Sequence, residues 1–413
     1  MAGCLPVVSV FGVENIELRS GVAPPFETGE LDVRCHLTDD DLSRVLAEER
    51  PGVVVTFGDV RDFPALAAAA WEVRKKWLHY EDTSDLERVG REAIQCFIGA
   101  ACLDRREVKL VTVFTPAYET GDRIMRPYLS LKGQTYKDWE WVVVDDSDDD
   151  GETFEMLSGI AERDHRVRVF RESCHSGVIG RVKRNACMLG RGDYLVELDH
   201  DDELTDDALA RVVDAYGRNP EIGFVYTDFA ELFPDGSPVR YGQNRELKPP
   251  FTDWGFGYGS YREEVHAGQK YAVANSPNVN AKTIRHIVAA PNHLRSWRRS
   301  VYVGIGGHRD AIHVADDYEI MVRTFLATRM ARVPHMCYLQ YRNLEGNTHR
   351  VRNQEIQRLV RCFSQFYDQS IHARLLELGV EDHVWAEGQN SFARLGMVMN
   401  PPEESHCTIM VDG

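Results

Sequence analysis

The sequence predicts an α/β protein built around a buried sheet, and two observations carry that prediction. Hydrophobic runs rich in β-branched residues, Val108-Lys-Leu-Val-Thr-Val-Phe114, Trp139 to Val144 and Tyr194-Leu-Val-Glu-Leu198, alternate with helical patterns. Two of these runs end in acidic clusters, Asp145-Asp146 and Asp199-His200-Asp201-Asp202. Carboxylates just past the C-terminal end of a buried strand lie on the edge where α/β sheets bind ligands. The two clusters therefore mark a candidate site before any motif is matched.

The elements follow in chain order. Pro6-Val-Val-Ser-Val-Phe11 and Gly52-Val-Val-Val-Thr-Phe57 read as short buried strands, each followed by Gly, with helical patterns at Asp39 to Glu49 and Pro64 to Trp77. Residues 1–105 are expected to form a small α/β accessory domain. No Gly-x-Gly-x-x-Gly follows either strand, so a dinucleotide fingerprint is absent. Glu87 to Leu103 reads as a linker helix. The Val108 strand leads into Thr115-Pro-Ala-Tyr-Glu119 and a helical pattern through Ile124, Leu129 and Leu131. Gly151-Glu-Thr opens another helix, and Asp202-Glu-Leu-Thr205-Asp206 suits the start of one running to about Tyr216. Trp297-Arg298-Arg299 precedes a strand at Val301. Ile356, Leu359, Val360, Phe363 and Phe366 mark a helix in a C-terminal extension over 351–413. A chain of 413 residues exceeds the about 250 to 300 residues of a single core, so more than one domain is expected.

Asp199-x-Asp201 offers two hard oxygen ligands at a spacing that can hold Mg²⁺ or Mn²⁺ together with substrate phosphates. The same residues equally suit a solvated turn or a helix cap. What surrounds them is more specific. The Thr115–Glu119 turn, Asp145-Asp146-Ser147, Lys183-Arg184-Asn185-Ala186, Leu198 to Asp202, and Gly306-Gly307-His308 followed by Ala315-Asp316-Asp317-Tyr318-Glu319 occur in one order. That order resembles family 2 glycosyltransferases across roughly residues 108 to 350. The resemblance implies a GT-A fold, a Rossmann-like nucleotide-sugar-binding mixed sheet flanked by helices, as a catalytic domain over 106–350.

The resemblance also implies roles. Thr115, Pro116, Tyr118 and Glu119 would lie against the base and ribose of the donor, Asp145 or Asp146 would contact the base, and Arg184 would approach the nucleotide. Asp199 would contact ribose or metal, Asp201 would be the principal metal ligand, and His200 a spacer. His349 lies where a late loop can cover the diphosphate, although a surface histidine fits it too. Asp317 takes the place of the family's catalytic Asp and Asp316 replaces its usual Glu; two adjacent carboxylates at a helix start also serve as N-terminal caps. Acceptor contacts are expected from Trp254, within the Gly-interleaved aromatic stretch Phe251 to Tyr261, and from Trp297 and Arg298. A buried aromatic cluster with turn glycines is the other reading of that stretch.

These residues imply an inverting, metal-dependent glycosyltransferase that uses a nucleotide-diphosphate sugar, with UDP as the expected nucleotide, and a glycan or protein hydroxyl as acceptor. A catalytically degenerate glycan- or nucleotide-sugar-binding scaffold is the alternative. The formal charge of −17 argues against electrostatic attachment to nucleic acid or anionic lipid. No run of ~18 apolar residues suits a membrane span. The start, Met1-Ala-Gly-Cys-Leu-Pro, lacks a basic n-region, so a secretory signal is not expected. Nine cysteines without a Cys-x-x-Cys pair read as isolated thiols, and a cytoplasmic location is expected.

Overall fold

The computed structural model describes residues 7–11, 32–36, 42, 44–46, 51–69, 71–103, 109–242, 247–252, 258–287, 290–342 and 352–385. Two sheets organise them. The smaller contains β1 (Val7–Phe11), β2 (Asp32–His36), β3 (Val53–Phe57) and β4 (Trp77–Tyr80), all parallel, in the order β2-β1-β3-β4. Buried parallel strands need both faces covered. The Leu86–Leu103 helix covers one face by setting Val89, Ala93 and Cys96 on Val8, Val10, Val53 and Val55. This helix, expected as a linker, is a wall of the small sheet, because its apolar residues recur at the spacing of one helix face.

The other face, through Phe11, Val54 and Trp77, shares a core with Phe114, Val142, Val144, Val182 and Ala186 of the larger sheet. Arg74 reinforces the contact by donating to the carbonyls of Arg191 and Gly192 at 3.3 and 3.1 Å.

The larger sheet begins with β5 (Val111–Ala117), β6 (Trp139–Asp145), β7 (Val167–Arg171) and β8 (Tyr194–Glu197), which run parallel in the order β8-β5-β6-β7. Every residue of β5, β6 and β8 is buried, as their unbroken hydrophobic runs require. Beyond β8 the sheet turns antiparallel, adding β13 (Arg295–Arg298), β10 (Ile222–Leu232), β12 (Gln269–Ala274) and β11 (Tyr261–His266). The long strand β14 (Arg329–Tyr341) pairs parallel with β10 and antiparallel with the two-residue β9 (Glu203–Leu204). A mixed sheet, parallel where the acidic clusters end their strands and antiparallel beyond, is the GT-A class that the sequence predicts.

Two local expectations are corrected. The segment after Asp202 forms β9 before the helix starts at Ala208, because the Asp202 carboxylate is held to β14 by the Tyr341 N–H at 2.7 Å and the Tyr338 hydroxyl at 2.9 Å. Val301 lies in the Arg299–Gly304 helix, and the strand is Arg295–Arg298. Arg299 turns the chain there by donating to the carbonyls of Cys187, Gly190 and Gly192. The expected late helix spans Asn353–Glu377 and packs Ile356, Val360 and Phe363 on Tyr318, Val322 and Phe325 of the Asp316–Ala327 helix.

Three buried histidines link this packing to pH. Burial depresses the pKa of His79 to about 4 and those of His293 and His308 to about 3, from 6.5. The folded state keeps them neutral while the unfolded chain protonates them below 6.5, so their contribution is complete above that pH and is lost as pH falls toward 4 and 3. Each unit of pH descended within that window costs about 1.4 kcal/mol per histidine. Thermal unfolding is therefore expected to show Tm falling steeply from pH 6.5 to 4, with less steepness in a His79→Gln variant. A flat profile over that range would contradict neutral burial.

Candidate active site

The C-terminal ends of β5, β6 and β8 bring three groups of residues to one edge. Thr115 lies inside β5, where its hydroxyl donates to the Leu198 carbonyl at 2.7 Å and accepts from the Trp141 indole at 2.9 Å. Thr115 thus stitches the three strands together below the ligand edge, and Pro116 pairs with Val144 beside it. Tyr118 is exposed, with its hydroxyl 3.1 Å from Asp148 and its ring 5.1 Å from that of His175. Glu119 adopts φ 43°, and its N–H donates to Ser147.

Asp145 and Asp146 divide their work. Asp146 accepts from the Ser176 N–H and hydroxyl at 2.7 and 2.9 Å and from the Gly177 N–H at 3.1 Å, which fixes the 175–177 loop. Asp145 is fully buried; its Oδ1 accepts from the Ser147 N–H, and its Oδ2 has no hydrogen-bond partner, the Arg171 guanidinium lying 3.9 Å away. Burial raises the Asp145 pKa. An unpartnered buried acceptor at a strand end calls for a ligand donor.

A second centre surrounds Glu197, the last residue of β8. Its buried carboxylate receives the Lys183 ammonium at 2.7 Å and the Arg295 guanidinium at 2.9 Å. Each cation also reaches the helix that begins at Asp316. Lys183 lies 3.5 Å from Asp316, and Arg295 lies 3.5 Å from Asp317. Burial opposes the charge on Lys183, but Asp316 and Glu197 outweigh it and raise its pKa. The two candidate base residues differ in access: the Asp316 side chain is 8% exposed and that of Asp317 30%, so Asp317 is the one open to an incoming hydroxyl.

The acidic loop after β8 forms a third group. Ligand atoms of Asp199, Asp202 and His293 lie within 4.8 Å of one another. His293 is buried against Tyr338, 4.2 Å between ring centroids, and its Nε2 has no hydrogen-bond partner. Burial foremost, then neighbouring acidic charge, raises the pKa values of Asp199 and Asp202. Such a set suits a divalent cation, which would neutralise the carboxylates and occupy the imidazole. Asp201 is outside this trio; its carbonyl accepts from Arg126, whose guanidinium stacks 3.8 Å from the Tyr341 ring.

Other expected site residues are placed elsewhere. Arg184 pairs with Asp310 at 3.2 Å, and Asp310 also approaches Arg61 of the small domain. Lys183, one position earlier, is the basic residue of that helix that reaches the acidic centre. Trp297 is fully buried in β13 with its indole N–H on Thr324, so it is a core residue and faces no acceptor. Arg298 is likewise structural, donating to the carbonyls of Ile222 and Tyr216. Trp254 and His349 lie outside the described residues. His308 is fully buried, packs on Phe114 and Trp297, and pairs its Nδ1 with the Tyr302 hydroxyl at 2.8 Å. Gly307 beside it has φ 65°, and a Cβ there would lie 2.7 Å from the Tyr302 ring, so glycine is required.

Lys183, Glu197, Arg295 and His293 were not legible as site residues. Each lies within a hydrophobic element or at its edge, and only the charge inside a buried pattern could have signalled them. Removing one member of such a buried cluster strands its partners, at a cost of about 3–5 kcal/mol. Lys183→Met is therefore expected to lower the denaturant midpoint of the protein markedly. An unfolding free energy within about 0.5 kcal/mol of the parent would show the cluster to be dispensable.

Comparison with known proteins agrees with this geometry. The model of glycosyl transferase family 2 matches residues 112–265, which contain β5 to β8 and both acidic clusters. The O-antigen biosynthesis protein RfbC of Myxococcus xanthus is 27% identical over 250 residues, 60% of this chain and 16% of RfbC. The putative teichuronic acid biosynthesis glycosyltransferase TuaG of Bacillus subtilis is 30% identical over 131 residues, 32% of this chain and 50% of TuaG. The chain thus spans half or less of the length of these relatives. Among solved structures, S. aureus TarS 1–349 in complex with UDP-GlcNAc is 16% identical, covers 65% of this chain and 72% of its own, and has a TM-score of 0.45.

Proposed function

We propose, since residues 112–265 match the model of glycosyl transferase family 2, that the chain transfers a sugar from a UDP-sugar to a hydroxyl of a glycan or protein acceptor. The reading rests above all on Asp145, a buried carboxylate with one unpartnered oxygen at the family's base-contact position. An acceptor oxygen suits the N3–H of uracil. Cytosine presents an acceptor at the same ring position, so the site discriminates against it. Tyr118 and His175, whose Nδ1 lies 2.6 Å from the Asp146 carbonyl, form an aromatic edge at the same strand end, on which a base can stack.

The donor diphosphate is proposed to lie along the loop after β8. Asp199 belongs both to the Asp199-x-Asp201 pair and to the trio with Asp202 and His293, so it is the shared candidate for holding Mn²⁺ or Mg²⁺. When bound, such an ion supplies positive charge to the departing diphosphate. Arg126 holds the loop's backbone at Asp201 and so orients whichever carboxylates serve.

The proton of the acceptor hydroxyl is assigned to Asp317. A base must be accessible to the hydroxyl, and Asp317 is partly exposed and oriented by Arg295 at 3.5 Å. Asp316 is held by Lys183 inside the protein and is assigned a positioning role. Attack from the Asp317 side opposite the departing diphosphate inverts the anomeric centre in a single displacement. Among the described residues no helix is long and apolar enough to cross a membrane. The described cysteines are free thiols, in keeping with the cytoplasmic setting proposed from the sequence.

Three outcomes test this reading. Calorimetric titration should rank UDP above CDP, and Asp145→Ala should remove the preference; tighter CDP binding would overturn the base assignment. Asp317→Asn should lower transfer on the order of 10²-fold while leaving UDP affinity intact. A near-normal rate there with a crippled Asp316→Asn would move the base to the neighbour. Asp199→Asn should weaken Mn²⁺ binding, read by the Mn²⁺ spin-resonance signal, and Asp201→Ala and His293→Ala identify the ligands that share it. Unchanged Mn²⁺ affinity in all three variants would remove the metal from this loop.

A further inference from the structure

A cavity of about 250 Å³ lies between the two sheets, away from the acidic loop. The small sheet reaches it with Gly58 and Asp59, which follow β3, and with Glu81, which follows β4. The larger sheet reaches it with the ends of β6 and β7, at Val144, Phe170 and Ser173. The C-terminal ends of parallel strands from both sheets therefore open on one space.

The walls have a definite chemistry. Asp59 is closed off by Arg61, which donates to both its oxygens. Glu172 is closed off by the Asn185 amide at 2.5 Å and by Arg181 at 3.2 Å. Three groups remain open. The Asn185 Oδ1 has no partner although Asn185 is only 6% exposed, the Arg181 Nε is buried without a partner, and Glu81 has no hydrogen bond or ion pair among the described residues. Two acceptors and one donor thus surround a floor made by Val144, Phe170 and Leu189.

That pattern selects among ligands. Asp59, Glu81 and Glu172 line the cavity, and Arg61 and Arg181 are already paired with Asp59 and Glu172, so a phosphate or nucleotide meets no surplus of positive charge. The volume is below the about 300–1,000 Å³ typical of sites for larger organic ligands. Hydroxyl groups both donate and accept, and the C–H face of a sugar ring packs on an aromatic such as Phe170. We propose that this cavity binds a neutral pyranose unit at a site separate from the donor pocket. It is joined to that pocket by one hydrogen bond, the Glu172 N–H on the Asp145 carbonyl at 2.9 Å.

The test is saturation-transfer NMR on the full chain with glucose, galactose, mannose and N-acetylglucosamine as free sugars, with and without excess UDP. The variants are Glu81→Leu and Ser173→Trp, both at exposed positions, with UDP binding retained as the sign that each is folded. At least one sugar is expected to give a saturable signal that UDP does not abolish. Its affinity should fall tenfold or more in Glu81→Leu and be lost in Ser173→Trp. No saturable signal from any sugar, displacement by UDP, or parental affinity in both variants would overturn the proposal.

Discussion

A carboxylate that stays charged in a protein interior needs cations or hydrogen-bond donors to replace its lost hydration, and the buried Glu197 at the end of β8 meets that need with two cations that shape the ligand edge. Lys183 comes to it from the Ile179–Leu189 helix and Arg295 from β13. The same two cations extend to Asp316 and Asp317, so the sheet's parallel half, its antiparallel half and the acidic helix start are tied at one point. Isolated surface ion pairs contribute little, but here Glu197, Lys183 and Arg295 are buried and each is held by two others. The position of the candidate base is in this sense a consequence of how Glu197 is neutralised.

The two acidic clusters are held by different means. Asp146 is saturated with hydrogen bonds from the 175–177 loop and fixes its shape, which leaves Asp145 as the residue with capacity for a ligand. Asp202 is anchored to β14 through Tyr338 and Tyr341, which pulls the loop after β8 toward His293. In the first cluster one carboxylate is structural and its neighbour keeps an oxygen without a hydrogen bond. Adjacent acidic residues in this sheet are therefore not equivalent, and substituting the structural member is expected to alter the loop along with the chemistry.

Much of this was legible in the sequence, and the reasons for the remainder are physical. Unbroken Val-rich runs gave β5, β6 and β8 because strands buried on both faces need no alternation. The positions of Asp145, Asp199 and Asp317 followed from strand ends and motif order. Tertiary contacts decided the rest. Trp297 reads as a surface aromatic beside two arginines, yet it is a core residue because those arginines bond to backbone carbonyls around it. Arg184 and Lys183 are adjacent and chemically alike, and only the helix's rotation against the sheet sends one to Asp310 and the other to Glu197. His293 carries no local pattern at all; a strand pairing across the sheet brings it to Asp199.

The edge formed by β5, β6 and β8 is proposed as the donor site. A crystal structure of the complex with UDP and Mn²⁺ tests it most directly. The account predicts uracil N3 within hydrogen-bond distance of the Asp145 Oδ2 and the diphosphate against the loop from Asp199 to Asp202. A nucleotide bound elsewhere, or a uracil that leaves that oxygen unpartnered, would contradict it.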